Sequence, residues 1–510
     1  MKNSLFWKVF TVFLVLITAN TGLAGIESIN VALPNGEGSY TGRLYVVFSR
    51  SDEEEPRLAI GDDVVPANAT PFYALDVSDW DGAAFNFVPT ASFPLEEISA
   101  LEEGQWYAQA LYDTDFILSE VNSPGAFYSP VVPVLIDDVE LDLELTLNQQ
   151  IPPETLPEDT MLLKYVKIRS DLLSEFYGTD VFLRASVLLP NSYQEGSSRR
   201  YPVLYNVAGM NGRYTRASRL LQNEEFLEYW ENRNSTQAVM VFLDGESPFG
   251  DSYQVNSAVS GPYADANFTE LFPYLAENFP IADQPSNRFV TGCSTGGWVS
   301  MALQILYPDY FNGAWSLSPD SPSFRAFQLV DIYNDSNAFL TPTGMTRPSS
   351  RDDDGDPRFS IADEIRMEAA LGRGDSFVTS GQQWGAWNAV YGQPDENGNP
   401  IPIWDQETGE IDPEAAAGWV PWDLEYYVRE NWSEIGPSLN GKLHFWMGDM
   451  DNYYLNNGLR NLEQAFSEME APGAVVEFNW LPNHGHCGFG TEIHYINVLD
   501  SLARRASVSN

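Results

Sequence analysis

The stretch that decides the fold of this chain spans residues 288–298 and reads Arg288-Phe289-Val290-Thr291-Gly292-Cys293-Ser294-Thr295-Gly296-Gly297-Trp298. An apolar run leads into it, and apolar residues at helical spacing follow as far as Leu306. The pattern predicts a strand, a sharp turn and a helix. Glycines two residues before and after Ser294 let the strand and the helix pass closely, because no Cβ stands between them. The Ser294 hydroxyl is then exposed at the carboxyl end of the strand.

This turn matches G-x-S-x-G, the nucleophile elbow of α/β-hydrolases, which makes Ser294 the candidate nucleophile. The alternative is an ordinary glycine-rich turn. Strands alternate with helices on both sides of the elbow, for example at residues 201–208 and 220–230. Such alternation is typical of a mostly parallel sheet with helices on both faces. The predicted class is therefore α/β, with an α/β-hydrolase fold.

Residues 1–24 are typical of a secretory signal peptide. Lys2 gives a basic start, residues 9–17 are apolar, and Gly22-Leu23-Ala24 supplies small residues at the end. The apolar run is too short to span a bilayer. We therefore predict a secreted or periplasmic protein.

Two further boundaries follow from composition. Residues 25–150 show short strand patterns and turns, which predict an N-terminal, β-rich domain of immunoglobulin-like sandwich type. Its expected role is packing, with substrate or surface binding as the alternative. Prolines between 149 and 159 mark the boundary to a catalytic domain at residues 151–510. Within that domain, the alternation breaks down at about 319–439, which predicts an inserted lid.

The lid carries two features with open interpretations. Asp352-Asp353-Asp354-Gly355-Asp356 either binds a structural calcium ion or forms a solvated acidic turn, and no Glu completes a twelve-residue calcium loop. The lid is also rich in tryptophan, which would either shape an aromatic acyl pocket or form the lid's own core. These residues are Trp384, Trp387, Trp404, Trp419, Trp422 and Trp432.

The charge balance limits the partners. Acidic residues number 72 against 27 basic ones, for a net charge of −45. Such a surface repels nucleic acid and anionic membranes. No nucleic-acid or membrane partner is expected, and the predicted partner is an ester substrate, either a small molecule or one linked to a polysaccharide.

A serine nucleophile needs a base and a carboxylate that orients the base, and on this fold they follow the serine in the order acid, then His. The strand near Leu443 ends in a turn with two carboxylates, Asp449 and Asp451. We select Asp451 because this acid commonly closes a G-x-x-D turn, and Asp449 stays the alternative. After the last strand, His484 and His486 are both available.

The two cysteines of the chain decide between the histidines. Cys293 directly precedes Ser294, and Cys487 directly follows His486. If Ser294 and His486 are in contact, the neighbouring cysteines fall within the ~4.4–6.8 Å Cα separation of a disulfide. An exported protein with an even number of cysteines, here two, commonly forms such a bond. We therefore predict a Cys293–Cys487 disulfide and His486 as the base, with two buried free thiols as the alternative.

Two backbone N–H groups are expected to bind the oxyanion. Thr295 follows the nucleophile and is the first candidate. Met210, in the glycine loop Gly209-Met210-Asn211-Gly212 after an early strand, is the second. The alternative for Met210 is a plain turn between strand and helix. No cofactor is required by this chemistry.

These motifs resemble two groups of enzymes. The Cys293-Ser294, Asp451 and His486-Cys487 set resembles the CS-D-HC motif of the tannase and feruloyl esterase family, in which the paired cysteines form a disulfide. The stretch from about 165 to 317 is similar to the esterase-D-like group. The resemblance implies a carboxylic-ester hydrolase acting through an acyl-enzyme, with feruloyl or galloyl-like esters as candidate substrates. The alternatives are a serine peptidase, an acyltransferase, or a non-catalytic binding protein on this scaffold.

Overall fold

The computed structural model describes residues 25–34, 38–488 and 491–506. The predicted signal peptide lies outside the described residues. Within them, no helix is both long enough and apolar enough to cross a membrane.

Residues 25–150 form strands that belong to two sheets. The strands are β1 (Ile26–Ala32), β2 (Tyr40–Ser49), β3 (Phe72–Trp80), β4 (Phe85–Asn86), β5 (Ala91–Phe93), β6 (Gly104–Asp113), β7 (Phe127–Tyr128), β8 (Val132–Ile136), β9 (Leu141–Thr146) and β10 (Gln149–Gln150). One sheet has the order β4-β1-β9, and the other has the order β10-β7-β6-β2-β3-β5, with β8 paired to β6. Val31 of the first sheet and Val46 of the second lie in the same apolar core. The region is therefore β-rich with a core between its sheets, while the immunoglobulin-like assignment stays a prediction.

The rest of the chain is built on an eight-stranded sheet. Its strands are β11 (Leu163–Ser170), β12 (Val181–Leu188), β13 (Val203–Val207), β14 (Val239–Leu243), β19 (Arg288–Cys293), β20 (Ala314–Leu317), β23 (Leu443–Gly448) and β24 (Glu477–Leu481), in the order β11-β12-β14-β13-β19-β20-β23-β24. Short hairpins use β15 (Glu246–Ser247) with β16 (Gly250–Asp251), β17 (Asn256–Ser257) with β18 (Gly261–Pro262), and β21 (Pro348–Arg351) with β22 (Pro357–Ser360). The six strands from β14 to β24 in this order run parallel to one another. β12 is antiparallel to both of its neighbours, β11 and β14.

Helices cover both faces of this sheet. They are α1 (Asp171–Tyr177), α2 (Ala217–Leu220), α3 (Glu224–Glu231), α4 (Tyr263–Ala266), α5 (Phe272–Asn278), α6 (Thr295–Leu306), α7 (Ile361–Leu371), α8 (Gln383–Tyr391), α9 (Pro413–Trp419), α10 (Leu424–Leu439), α11 (Asn456–Ser467) and α12 (Thr491–Arg505). Alternate residues of β13 point to opposite faces, as the period of a strand requires. Tyr205 packs in the core beneath α5, α6 and α11, whereas Leu204 packs in the core beneath α3 and α12. The prediction of a mostly parallel sheet between two helical layers, the α/β-hydrolase arrangement, is confirmed.

The insert at about 319–439 contacts the N-terminal region as well as the sheet. Leu371 of α7 shares an apolar core with Phe72 and Phe93 of the N-terminal sheet. The buried guanidinium of Arg43 pairs with Asp76 and also reaches Asp375 of the insert, at 2.7 and 2.9 Å. The insert therefore ties the two parts of the chain together, which the sequence did not predict.

The two open features of the insert have local explanations. The carboxylate of Asp352 accepts the N–H groups of Asp354 and Asp356, so the acidic stretch satisfies its own backbone. Across the described part of the chain, no group of three or more His, Cys, Asp or Glu residues could hold a metal ion. Five of the six tryptophans are buried, namely Trp384, Trp387, Trp404, Trp419 and Trp432. They belong to the apolar core that the insert shares with one face of the eight-stranded sheet, so the five rings pack as core side chains.

Candidate active site

The elbow around Ser294 has the geometry that the motif predicts. β19 ends at Cys293, α6 begins at Thr295, and Ser294 between them has φ 61° and ψ −127°. Non-glycine residues rarely adopt this backbone conformation, and such strain concentrates at functional sites. A Cβ on Gly292 or Gly296 would lie 2.5 or 2.2 Å from the Val207 carbonyl oxygen, so both positions require glycine. The half-buried Ser294 is thereby held at the carboxyl end of the central strand.

Asp451 and His486 meet on the loops that follow β23 and β24. Nδ1 of His486 lies 2.7 Å from Oδ2 of Asp451, whose side chain is fully buried. The other oxygen of this carboxylate accepts the N–H groups of Tyr453 and Leu455, which fixes its orientation. The backbone N–H of His486 donates to Oδ1 of Asn452, so the neighbouring residue holds the loop in place.

The electrostatics of the site make His486 a stronger base than a free histidine. Burial acts to lower the pKa of His486, but the charge and hydrogen bond of Asp451, together with the charge of Asp320, outweigh it and raise that pKa. The edge of Tyr453 packs against the imidazole, with the two rings 5.1 Å apart. A base whose pKa is raised in this way binds a proton from a serine hydroxyl more readily.

The alternative residues have other partners. Asp449 accepts the N–H of Asn483 at 2.7 Å, which is the turn-forming role expected of the acid that is not selected. His484 is exposed, and its Nδ1 lies 2.9 Å from the carbonyl oxygen of Pro482. Among the described residues, neither Asp449 nor His484 forms a hydrogen bond with the side chain of Asp451 or His486.

The two remaining histidines are also engaged elsewhere. His444 stacks on Trp315 and contacts Glu477, and burial lowers its pKa. His494 lies within hydrogen-bond distance of Thr291, and burial lowers its pKa to about 3. An imidazole with so low a pKa stays neutral and is a poor proton acceptor.

The structure joins Cys293 and Cys487 in a disulfide. Their Cα atoms lie 6.2 Å apart, and 194 positions separate them in the chain. The N–H of Cys487 also donates to Oγ of Ser318, just after β20. Because one cysteine precedes Ser294 and the other follows His486, the bond brings the backbones of these two residues close together.

The two predicted oxyanion residues lie in segments close to Ser294. Thr295 is the first residue of α6, a position whose N–H has no partner within the helix. Gly209 lies close to the nucleophile, because an added Cβ there would lie 3.3 Å from Cβ of Ser294. Met210 is half-buried next to it.

Sequence reasoning missed three supporting residues. Asn452 and Ser318 hold the loop of His486 and Cys487 through the contacts described above. Asp320 lies behind the elbow, and its N–H donates to the Ser294 carbonyl at 3.3 Å. A signal was present for Asp320, because it follows the carboxyl end of the strand next to the elbow, where functional groups of parallel sheets gather.

One prediction concerns the orienting acid. We expect Asp451→Asn to lower kcat/KM by about 10²–10⁴-fold, since the base loses the group that fixes its tautomer and stabilises its charged form. The loss of a neighbouring negative charge should also lower the pKa of His486 and move the acid limb of the pH profile to lower pH. The matched control is Asp449→Asn, whose amide oxygen still accepts the Asn483 N–H. Comparable losses in both variants would contradict the choice of Asp451.

A second prediction concerns the disulfide. A Cys293→Ala/Cys487→Ala variant should lose stability, with an upper limit of ~5 kcal/mol set by the entropy of a loop of this length. It should also lose kcat at temperatures where it stays folded, because a less restrained His486 spends less time near Ser294. Calorimetry and kinetics measure the two effects separately, and mild reduction of the unaltered protein should reproduce both. An unchanged kcat would leave the bond a purely structural role.

Part of the chain is similar to a known sequence family. A sequence model of the family described as "Putative esterase" matches residues 180–398. This segment is less than half of the chain and contains the elbow and the Gly209 loop, but neither Asp451 nor His486. No curated protein matches the chain.

Several solved structures are similar to part of the chain. A ferulic acid esterase is 15% identical and covers 68% of this chain and 99% of its own, with a TM-score of 0.40. An S-formylglutathione hydrolase from Agrobacterium tumefaciens is 14% identical and covers 69% and 99%, with a TM-score of 0.40. A CE1 ferulic acid esterase from Anaeromyces mucronatus, solved with ferulic acid, is 12% identical and covers 68% and 93%, with a TM-score of 0.32.

Similarities of this size do not define a substrate. The family match is the informative finding, because it includes the strand, turn and helix that present Ser294. From this match, we conclude that the chain is a carboxylic-ester hydrolase.

Proposed function

We propose that the protein hydrolyses carboxylic esters through a covalent acyl-enzyme, with Ser294 as nucleophile, His486 as general base and Asp451 as the orienting acid. The observation that carries this proposal is the 2.7 Å contact between Nδ1 of His486 and Oδ2 of Asp451, on a loop that a disulfide fastens beside Ser294. Nδ1 is thereby occupied by the acid, and Nε2 is left to act on the serine hydroxyl.

The reaction has two halves. His486 takes the proton of Ser294 while Oγ attacks the ester carbonyl, and the resulting tetrahedral oxyanion accepts hydrogen bonds from the backbone. The imidazolium then gives its proton to the departing alcohol, which leaves the acyl group on Ser294. A water molecule, deprotonated by His486, then attacks the acyl carbonyl, and His486 returns the proton to Oγ of Ser294 as the acid leaves. Thr295 and Met210 are the proposed oxyanion donors, and the close approach of Gly209 to Ser294 supports a donor from this loop.

The proposed location is outside the cytoplasm, in the periplasm or the medium. The basic and apolar pattern of residues 1–24 supports export. The Cys293–Cys487 bond is consistent with an oxidising compartment.

We further propose feruloyl or galloyl-like esters as candidate substrates, on the resemblance of the cysteine-flanked motif alone. A panel of methyl ferulate, a gallate ester, p-nitrophenyl acetate and longer aliphatic esters tests both levels of the proposal. Hydrolysis of any of these esters that is lost in Ser294→Ala supports the mechanism. Preference for the aromatic acyl groups supports the narrower assignment, whereas a preference for short aliphatic esters contradicts it and leaves the mechanism standing.

A further inference from the structure

A second buried carboxylate lies behind the nucleophile. Asp320 follows β20 and is only 1% exposed. Its backbone N–H donates to the carbonyl oxygen of Ser294 at 3.3 Å. The main chain of Asp320 therefore contacts the elbow directly, and its side chain makes a separate set of contacts.

The side chain of Asp320 links the elbow to the insert. Its Oδ2 accepts hydrogen bonds from the hydroxyl of Tyr253 and from Oγ1 of Thr295, the latter at 3.3 Å. On the insert side, α8 contributes Nε1 of Trp387 at 3.1 Å and Nε2 of Gln383 at 3.5 Å. One oxygen atom thus joins the first residue of the elbow helix to two side chains of α8.

Several titratable groups face this carboxylate. Burial raises the pKa of Asp320, while the donors Tyr253 and Trp387 and the nearby charge of His486 act in the opposite direction. Tyr253 and Tyr391 are buried and have pKa values well above the usual range, so both are neutral. Asp251 is the other carboxyl group that interacts with Asp320, and burial raises its pKa to about 7. His486 precedes Cys487, whose N–H donates to Oγ of Ser318 two residues before Asp320, so the segment that carries Asp320 contacts the loop of His486. His486 is the cationic partner within this set when it is protonated.

We propose that Asp320 is a positioning residue of the catalytic centre, which fastens the elbow to the insert and supplies a second negative charge that stabilises the imidazolium form of His486. This inference rests on the proposed function. The proton moves from Oγ of Ser294 to His486 and then to the leaving alcohol, and Asp320 takes no part in this transfer. Asp451 holds the imidazole from the Nδ1 side, whereas Asp320 acts through space and through the elbow.

The test is Asp320→Asn, which keeps the shape and can still accept hydrogen bonds but removes the charge. The matched control is Asp423→Asn. Asp423 is also a buried carboxylate of the insert that accepts a tyrosine hydroxyl, from Tyr333. The charges that raise the pKa of His486 are those of Asp451 and Asp320. The readouts are kcat and KM for p-nitrophenyl acetate across pH, and the pKa of His486 measured by NMR, which is feasible because the chain has four histidines.

The sign of the effect follows from the charge. Loss of the negative charge disfavours the imidazolium, so the pKa of His486 and the acid limb of kcat/KM should move to lower pH by about half a unit or more. Half a unit corresponds to about a threefold factor, and kcat at the plateau should fall by at least that much, with KM little changed. Asp423→Asn should leave the pKa of His486 and kcat within the error of the wild type. An unmoved pKa of His486 in Asp320→Asn would overturn the proposal.

A second variant covers the case in which Asp320→Asn does not fold. Tyr253→Phe removes one donor and leaves the carboxylate in place. Asp320 should then bind its proton more tightly and carry less charge, so the acid limb should move in the same direction by a smaller amount. No movement would also count against the proposal. If Ser294→Ala retained full activity, the proposed function would fail, whereas an inactive Ser294→Ala with an unmoved His486 pKa in the Asp320 variant would refute this inference alone.

Discussion

Replacement of Ser294 by alanine is expected to lower kcat/KM for p-nitrophenyl acetate by at least ~10³-fold, because the residual rate then comes only from binding and oxyanion stabilisation. The fold should persist, since the side chain is small and the elbow is held by close backbone contacts at Gly292 and Gly296. Circular dichroism and the melting temperature of the variant test this second expectation.

A suitable control lies on the same helix. Ser300→Ala removes a buried hydroxyl that donates to the Gly296 carbonyl at 2.6 Å, six residues beyond the nucleophile. It should keep turnover within a few-fold of the wild type while costing about 1 kcal/mol of stability. Near-normal turnover by a folded Ser294→Ala variant would contradict the assignment of the nucleophile.

The second large effect is expected at His486. His486→Ala should lose at least ~10³-fold in kcat/KM, because Ser294 then has no base and the triad acts as a unit. His484→Ala is the matched control, two residues away on the same loop. It should keep substantial activity, because the imidazole is exposed and its Nδ1 lies against the Pro482 carbonyl.

The pH dependence adds an independent check on the same residue. Since the environment raises the pKa of His486, the acid limb of kcat/KM for the wild type should lie above the ordinary value for histidine, which is about 6.5. His484→Ala should leave that limb in place. Loss of activity in His484→Ala with activity retained in His486→Ala would show that the cysteine argument selected the wrong base.

Local sequence signals predicted the strands and turns at the edge of the sheet where the candidate site lies. The elbow at Ser294 and the strand within residues 201–208 could be predicted from residue spacing, because each depends on short-range patterns of glycine and apolar residues. The positions of the two cysteines favoured His486 over His484, because a disulfide needs its cysteines close together. The structure places the imidazole of His486 against Asp451. These features could be predicted because each depends on residues that are adjacent in the chain.

The features that the sequence did not reveal depend on distant contacts. Nothing local in α7 indicates that Leu371 completes a core with Phe72, about 300 positions earlier in the chain. The position of Asp320 after β20 was a local signal, but its side-chain contacts could not be predicted, because Tyr253 and Trp387 converge on it from separate segments. The tryptophans of the insert gave a composition signal, but composition does not distinguish a pocket wall from a packed core.

The central claim is that Ser294 is the residue that becomes acylated, and covalent labelling tests it most directly. The protein would be treated with a fluorophosphonate that phosphonylates activated serines, then digested and mapped by mass spectrometry. We expect a single adduct on Ser294, formed rapidly in the wild type and much more slowly in His486→Ala, because the hydroxyl then lacks its base. An active enzyme whose adduct lies on another serine, or which remains unlabelled while it hydrolyses esters, would contradict the account.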